Sequence, residues 1–366
     1  MNRYGNRLMP LPLDKWLETL VEHAGSDILL VSDAPVCMLV EGEVHGMETA
    51  PLTGHEIEDA VLPALTPHAL ELYRRDGIAD SSYRVQSLGR FRINLHHQKG
   101  EAAAAIRALP TRVPQLADLN LPPQVQALSQ LKRGLVLIGG AAGSGKSTTL
   151  AALINEINRS AARHIVIIED PIEYEHVHEH SIIEQVEIGT DAPDFPTALR
   201  AALRQAPEII VLGEMRDPES MRIAVSAAET GHLVFSTLHT TDIASTIARI
   251  CDSFPVERQN TIRQDLAMAL TAVMTQVLVP SSSGRRAPAV ELLMLGYSTR
   301  HHIRRNALQH LHQEITLTKN LGSQTLEESL ARLVIERKID REEAMVRAVH
   351  QDDLVSLLKG LHHNVA

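Results

Sequence analysis

The sequence predicts an α/β protein, in which a small α+β domain precedes a second domain built on a parallel sheet that ends in a helical region. Two observations carry this prediction. An apolar segment, a glycine-rich turn and a helix-forming segment follow one another at residues 134–154. After them, short apolar runs alternate with helical patterns as far as residue 250, which is typical of a parallel sheet covered on both faces.

The composition limits the class of protein. A length of 366 residues suggests two domains, and 44% hydrophobic with 22% charged residues is ordinary for a globular chain. A net charge of −10 and 3% aromatic residues argue against nucleic-acid binding. Two separated cysteines, Cys37 and Cys251, exclude a four-cysteine zinc site. Without an 18-residue apolar run, or an apolar leader after Met1–Arg7, we expect a cytoplasmic protein with no direct membrane insertion.

The first 113 residues predict alternating helices and antiparallel strands. Segment 102–109 fits a helix or a strand by propensity, and we favour a strand because Pro110 follows it. A proline-rich stretch then predicts a linker at 114–123, so that the domains are 1–113 and 124–366. The elements predicted before the linker are a helix at 13–24, a strand at 26–31, a hairpin turning at Glu41–Gly42, helices within 53–75 broken at Pro63 and Pro67, and strands at 81–85, 89–95 and 102–109.

The second domain predicts strands and helices in alternation, followed by a mostly helical region. The predicted strands are 134–139, 164–169, 208–213 and 232–238, and the helices between them are 146–158, 194–204, 217–229 and 242–250. The predicted helical segments of the C-terminal part are 258–278, 298–313, 324–336 and 341–361.

A phosphate-binding loop is predicted at Gly140–Ser147, which fits G-x-x-x-x-G-K-[ST] at every required position. The turn lies between a strand and a helix, so the helix N-terminus would face an anion. Lys146 would reach the β- and γ-phosphates and the Ser147 hydroxyl would ligate Mg²⁺. The alternative is a glycine-rich turn that matches by chance. The predicted nucleotide-binding residues are Gly140, Gly143, Ser144, Gly145, Lys146, Ser147 and Thr148.

Carboxylates stand at the ends of two further predicted strands. Glu214 follows one strand, and Glu169 with Asp170 ends another, so all should lie at the sheet edge that carries the phosphate loop. There they could orient or deprotonate a water molecule, or hold a metal ion through water. The alternative is a set of structural strand-end carboxylates, and spacing alone does not say which one is a base.

Histidines stand at both ends of the strand at 232–238. His239 falls at the phosphate-side end, where it could sense the γ-phosphate, although a structural role is an equal alternative. For His232 we favour a structural role. His176, His178 and His180 alternate, and in an extended strand they would share one face that could bind a metal. The chain has 19 histidines, so we favour a polar loop or an edge strand there instead.

Four sequence blocks together resemble the secretion ATPases of type II secretion and type IV pili, above all the pilus retraction ATPases of twitching motility (PilT-like). The resemblance spans about residues 10–345 and rests on GSGKSTTLAALI, IEDPIEY, ALRAALRQAPEIIVLGEMRD and AAETGHLVFSTLHTTDIASTIARI. It implies a PAS-like N-terminal domain, a RecA-like ATPase core and a homohexamer that hydrolyses ATP with Mg²⁺. It further implies Glu214 as the catalytic glutamate, Glu169 as its supporting carboxylate, and a His-box role for His239.

The same resemblance implies arginines that reach the nucleotide of a neighbouring subunit. The matching residues are Arg90 and Arg92, with Arg107 a weaker candidate, and the alternative is two arginines on the solvent face of a strand. The implied partners are a pilus platform protein, with the motor peripheral at the inner membrane, and a paralogous pilus ATPase.

The chain also departs from the retraction ATPases. The missing four-cysteine insertion separates it from the extension ATPases and agrees with the retraction ATPases. Three positions differ from the retraction pattern: Ser298–Arg304 replaces the AIRNLIR motif, Ala141-Ala142 replaces a usual Pro-Thr, and Ala206 replaces a usual Asp. These changes leave an accessory retraction paralogue open. Two other function classes remain as alternatives: a nucleic-acid translocase on the same core, and a structural subunit that hydrolyses little ATP. A small-molecule kinase is disfavoured.

Overall fold

The computed structural model describes residues 12–282, 284 and 286–362, and side chains as far as residue 359. The predicted absence of a leader at Met1–Arg7 lies outside the described residues. The chain forms two compact units. The first runs to Arg112 and also contains the segments Asp170–Glu175 and Glu187–Pro193, and the second contains the rest of the chain. Those two segments fall inside the predicted second domain, and the predicted domain boundaries stay a prediction.

The first unit is a six-stranded antiparallel sheet in the order β3-β2-β1-β6-β5-β4, packed against helices. Ala102, Ala104 and Ile106 point into its core, which is why the ambiguous segment is a strand, as predicted. Glu41 and Gly42 both have positive φ, as the predicted tight hairpin turn requires. Its elements are α1 Pro12–Glu22, β1 Asp27–Val31, β2 Cys37–Val40, β3 Glu43–Gly46, α2 Gly54–Val61, α3 Pro67–Asp76, β4 Ile78–Val85, β5 Gly89–Gln98 and β6 Glu101–Ala108.

The second unit is built on a seven-stranded sheet in the order β13-β12-β7-β11-β10-β8-β9. Its strands are β7 Gly134–Gly139, β8 His164–Glu169, β9 Ile182–Glu187, β10 Ile209–Leu212, β11 Leu233–Leu238, β12 Leu270–Pro280 and β13 Arg286–Met294. Its helices are α4 Pro123–Gln126, α5 Lys146–Ser160, α6 Phe195–Ala202, α7 Pro218–Glu229, α8 Ile243–Asp252, α9 Val256–Ala269, α10 Tyr297–Arg304, α11 Leu311–Leu317, α12 Leu326–Ile335, α13 Arg341–Arg347 and α14 Gln351–His362.

Strands β12, β7, β11, β10 and β8 are parallel, and β13 runs antiparallel to β12. Their apolar runs are buried because helices cover both faces of the sheet. The carboxyl ends of β7, β8, β10 and β11 therefore meet at one edge, where the predicted site residues stand. No helix among the described residues is long and apolar enough to cross a membrane.

One predicted helix is wrong in its second half, and the strand β9 was not predicted. The helix predicted at 258–278 ends at Ala269, and β12 follows at once. Val273 and Met274 are fully buried on this interior strand, so the apolar run has no alternation that would distinguish a strand from a helix. The sequence also gave no signal for β9, whose partly exposed residues alternate only weakly.

The segment predicted as a linker is not loose in the structure. Leu116 is 8% exposed and belongs to the core of the second unit. The Asn120 carbonyl accepts a hydrogen bond from Arg332, and its side-chain oxygen accepts one from Lys338. The part from Leu116 onward is thus fixed to the second unit.

Candidate functional site

The phosphate loop connects β7 to α5. Its glycines have backbone conformations that other residues would adopt only with strain. Gly145 precedes α5 with φ of +85°, and Gly140 has φ of +155°. A Cβ atom on Gly140 would lie 2.3 Å from the Ser144 hydroxyl and 2.7 Å from the Gln276 carbonyl oxygen. Because α5 begins at Lys146, its positive dipole end points toward this loop.

Lys146 is 6% exposed and its side chain folds back over the loop. Its Nζ atom donates to the carbonyl oxygens of Gly140 at 2.8 Å and Ala141 at 2.9 Å. The Ser144 hydroxyl is buried and makes no hydrogen bond within the described part of the chain. A cationic ammonium and an unsatisfied hydroxyl in one turn are what an anionic ligand requires.

Gln276 on β12 holds the phosphate loop in place through hydrogen bonds. Its side chain is 2% exposed, donates to the Ser144 carbonyl at 2.7 Å, and accepts from the Thr149 hydroxyl at 2.8 Å. The loop and the first turn of α5 are thereby tied to β12. The sequence prediction missed this residue because it lies in the run that was assigned to a helix.

Lys146, His239 and Glu214 form one connected chain of contacts. The ammonium of Lys146 lies 3.4 Å from Nδ1 of His239, and Nε2 of His239 lies 3.4 Å from Oε1 of Glu214. An ammonium can only donate, so Nδ1 accepts and the imidazole carries its proton on Nε2, facing the carboxylate. The structure therefore brings together three side chains that the sequence predicted at the ends of separate elements.

Arg216 extends this chain and has no role in the sequence prediction. Its Nε atom donates to Oε2 of Glu214 at 2.9 Å, while the other oxygen of Glu214 faces His239. Both oxygens of the predicted catalytic carboxylate are thus engaged. A cation two residues after a strand-end carboxylate is the signal that could have found it.

Glu169 ends β8 beside the segment that carries Glu214. The Gly213 N–H donates to the Ile168 carbonyl, and a Cβ atom on Gly213 would lie 3.1 Å from Cγ of Glu169. The two acidic strand ends are therefore neighbours at one edge. Ser147 in the first turn of α5 is half-buried. A hydroxyl and carboxylates are hard oxygen donors, so this residue set fits Mg²⁺.

A groove of about 540 Å³ opens beside the phosphate loop within the second unit. Gly145, Thr148 and Thr149 line the side of the groove next to the loop, and β12 lines another side. Arg286, Arg337 and Lys338 add positive charge to the wall. The groove has room for the nucleoside part of a nucleotide whose phosphates lie in the loop. Its cationic wall was not predicted from the sequence.

The predicted trans-acting arginines lie in the first unit, on β5. Arg90 is 11% exposed, and it pairs with Glu187 at 2.7 Å and donates to the Ile172 carbonyl. Arg92 is 43% exposed and lies 3.3 Å from Asp80. The weaker candidate, Arg107 on β6, pairs with Asp27 at 2.8 Å. The two β5 arginines thus differ: one is held inside its own unit and the other is open to solvent.

The alternating histidines differ in burial and in hydrogen-bond partners. His176 is partly buried, and burial lowers the pKa of its imidazole to about 4. Nδ1 of His178 accepts the Ile183 N–H, and His180 is exposed. This segment is a loop, as favoured by the sequence, and no metal-ligand cluster forms there among the described residues.

The segment that replaces the AIRNLIR motif forms α10 and is well anchored. Ser298 and Thr299 donate to the buried Glu314 carboxylate. Arg300 donates to the Ala267 and Met268 carbonyls at the end of α9, a favourable place for a cation. The altered motif therefore has a defined structural role in the second unit.

Comparison with known proteins agrees with this geometry. The family model for type II/IV secretion system proteins matches residues 90–360. The chain is 34% identical to the type IV pilus ATPase PilU of Pseudomonas aeruginosa, over 95% of this chain and 92% of PilU. It is 37% identical to the type IV pilus retraction ATPase PilT of the same organism, over 89% of this chain and 95% of PilT.

A crystal structure of the pilus retraction motor PilT with bound ADP superposes with a TM-score of 0.84 at 38% identity, covering 95% of this chain and all of that one. The predicted fold class and the predicted resemblance are thereby confirmed: the chain has the α/β fold of a PilT-like ATPase. The chain belongs to the family of type II/IV secretion system proteins, among its pilus ATPases.

Proposed function

We propose that this chain is an ATP-hydrolysing motor that powers type IV pilus retraction in twitching motility. The observation that carries the proposal is the connected set of Lys146, His239 and Glu214 at one edge of the parallel sheet. PilT is named as a retraction ATPase and its structure holds ADP, which supports the same activity here.

The chemistry follows from groups already in place. On ATP binding, the Lys146 ammonium exchanges the loop carbonyls for phosphate oxygens, and the loop and the dipole of α5 hold the remaining negative charge. Glu214 accepts a hydrogen bond from the attacking water and orients it toward the γ-phosphate. His239 faces both residues, so its position depends on whether Lys146 has moved to the nucleotide.

A magnesium ion bound with ATP would neutralise phosphate charge and polarise the γ-phosphoryl group. The Ser147 hydroxyl would hold it directly, and Glu169 would act through a water molecule. Thr148, in the first turn of α5, faces the groove and would contact the nucleotide from that side.

We further propose that six subunits form a ring and that an arginine of one subunit completes the site of the next. Arg92 is the better placed of the β5 arginines because it is exposed, whereas Arg90 would first have to leave Glu187. Residues 1–113 would then act as a PAS-like domain and 124–366 as the ATPase domain, with movement between them. The docking partners would be a pilus platform protein at the inner membrane and a paralogous pilus ATPase, while the protein itself stays cytoplasmic.

The decisive experiment measures phosphate release by the purified protein together with its mass in solution, with Lys146→Ala as the matched inactive variant. A ring that releases phosphate from ATP, with release abolished in Lys146→Ala, supports the motor. A monomer with full activity contradicts the shared site. Turnover stimulated severalfold by DNA would instead support the nucleic-acid translocase.

A second candidate is an accessory subunit that hydrolyses little ATP alone and works beside an active paralogue. The observation that favours it is the engagement of both Glu214 oxygens, by Arg216 and by His239. PilU, a second pilus ATPase, also matches the chain over nearly its whole length. An intact ring with no phosphate release until the paralogue is added would support this candidate over the first.

A further inference from the structure

A second cluster of ligating side chains lies in the C-terminal helices of the second unit. It consists of His312 on α11, His350 immediately before α14, and Asp353 in the first turn of α14. One ligand atom from each residue lies within 4.8 Å of the others, and the two imidazole rings have their centroids 4.0 Å apart. We propose that these three residues form a binding site for a divalent transition-metal ion, with Zn²⁺ as the best-fitting ion.

His312 is oriented in the way that metal-binding histidines are. Nδ1 of its ring faces Oε1 of Glu291 on β13, at 3.9 Å, and that carboxylate is 15% exposed. A carboxylate beside one ring nitrogen favours the tautomer with its proton on that nitrogen, which leaves the other nitrogen to bind the metal. Glu291 therefore acts as a positioning residue and is not a ligand.

The backbone at His350 is fixed as well. The buried carboxylate of Glu327 on α12 accepts hydrogen bonds from the N–H groups of Val349 at 3.1 Å and His350 at 2.9 Å. The His350 N–H is thus tied to an immobile group while its ring remains exposed. A site with a fixed backbone loses less entropy when its side chains close on an ion.

The charges and the ligand types select the ion. The carboxylates of Glu291 and Asp353 lie beside the two imidazoles, so this position favours a cation. Two imidazoles with one carboxylate suit Zn²⁺, whereas Mg²⁺ prefers oxygen ligands alone. Bond lengths of about 2.0–2.1 Å require ligand atoms about 3.3 Å apart. The exposed His350 and Asp353 side chains have to move by about 1.5 Å at most to reach that spacing.

The bound ion would join two segments of the C-terminal region that are separated in the sequence. It would tie α11 to the start of α14, with a water molecule completing four-coordination. The consequence is a C-terminal helix whose docking depends on metal, separate from the nucleotide site and from its Mg²⁺.

The test measures binding of Zn²⁺ alone to the full chain, produced without a polyhistidine tag, in excess Mg²⁺ and without nucleotide. Calorimetry should find one tight equivalent of Zn²⁺, and bound Zn²⁺ should raise the thermal unfolding midpoint. Co²⁺ in its place should give the visible spectrum of a tetrahedral site. The double variant His350→Gln with Asp353→Asn should lose the tight equivalent and the rise in midpoint.

The matched control is His55→Gln with Asp59→Asn, an exposed pair on α2 at 3.8 Å that belongs to no group of three ligands among the described residues. This control should bind Zn²⁺ like the parent. Glu291→Gln should weaken Zn²⁺ binding by about 10–100-fold, as expected for the loss of a carboxylate that orients a ligand. If the His350/Asp353 variant retains the parent's tight equivalent while folded, or if the control loses it, the proposal is wrong.

Discussion

Two groups of side chains in the second unit set a histidine beside carboxylates, one at the phosphate loop and one among the C-terminal helices. His239 lies between Lys146 and Glu214, on strand ends that the register of a parallel sheet brings to one edge. His312 lies between Glu291 and His350, on elements that only helix packing brings together. The first arrangement follows from sheet topology and the second from tertiary packing. The first group could therefore be predicted from the sequence, and the second could not.

The sharpest test of the first group is Glu214→Gln. The change keeps the size of the side chain but removes the carboxylate that orients the attacking water, so we expect kcat to fall by at least about 100-fold. The KM for ATP should change little, because Lys146 and the loop remain. Steady-state phosphate release over a range of ATP concentrations separates the two constants.

The matched control for this change stands at the opposite end of the same strand. Glu208 precedes β10 and pairs with Arg163 on the surface. Glu208→Gln removes an exposed ion pair worth at most about 1 kcal/mol and should leave kcat within about twofold. Equal losses of kcat in the two variants would contradict the argument that only the carboxylate at the phosphate-side end of β10, Glu214, takes part in hydrolysis.

A smaller effect is expected from Gln276→Leu, which tests whether the hydrogen bonds of Gln276 hold the phosphate loop in place. The substitution leaves the buried Thr149 hydroxyl and the Ser144 carbonyl without their partner, at a cost of about 2–3 kcal/mol. The free energy of unfolding from urea titration measures this cost. Adding Thr149→Val should recover part of it by removing one unsatisfied group. No recovery in the double variant would show that the two side chains do not act as a pair.

His176 belongs to neither group: it lies in a loop, and its side chain is partly buried. Its pKa is about 4 in the folded protein, against about 6.5 when unfolded, so the unfolded state takes up a proton first as the pH falls. Stability is therefore lost on acidification from about pH 6.5 toward pH 4. His176→Leu should remove this loss and stabilise the protein by about 2 kcal/mol relative to the parent at pH 5.

The measurement is the free energy of unfolding at pH 7 and pH 5 for both proteins. His180→Leu makes the same chemical change at an exposed position of the same loop and serves as the control. A difference between the parent and His176→Leu that is the same at both pH values would contradict the argument from burial.

The sequence predicted those features that depend on local pattern. The turn at Gly140–Ser147 and the acidic ends of β8 and β10 need only strand, turn and helix order, and the structure has them where they were expected. Gln276 was missed because a fully buried strand has no readable alternation. The groove wall was missed because it depends on which loops pack together, whereas Arg216 stands two residues after its partner Glu214 and could have been found from the sequence. The roles of Arg90 and Arg92 stay predictions, since they concern a neighbouring subunit.

The smallest effect is expected at His239, and it tests whether this histidine links Lys146 to Glu214 or only fills space. His239→Ala removes both contacts and should lower kcat by about 10-fold, a change of about 1.4 kcal/mol. His239→Gln should retain more activity, because an amide can accept from Lys146 and donate to Glu214 as the neutral imidazole does. His232→Gln, at the start of the same strand, is the control, since the only hydrogen bond of the His232 side chain among the described residues is to the Ala227 carbonyl. If Ala and Gln at position 239 reduce kcat equally, the hydrogen bonds of His239 to Lys146 and Glu214 have no part in turnover. The contact of these three side chains at the sheet edge would then be structural only.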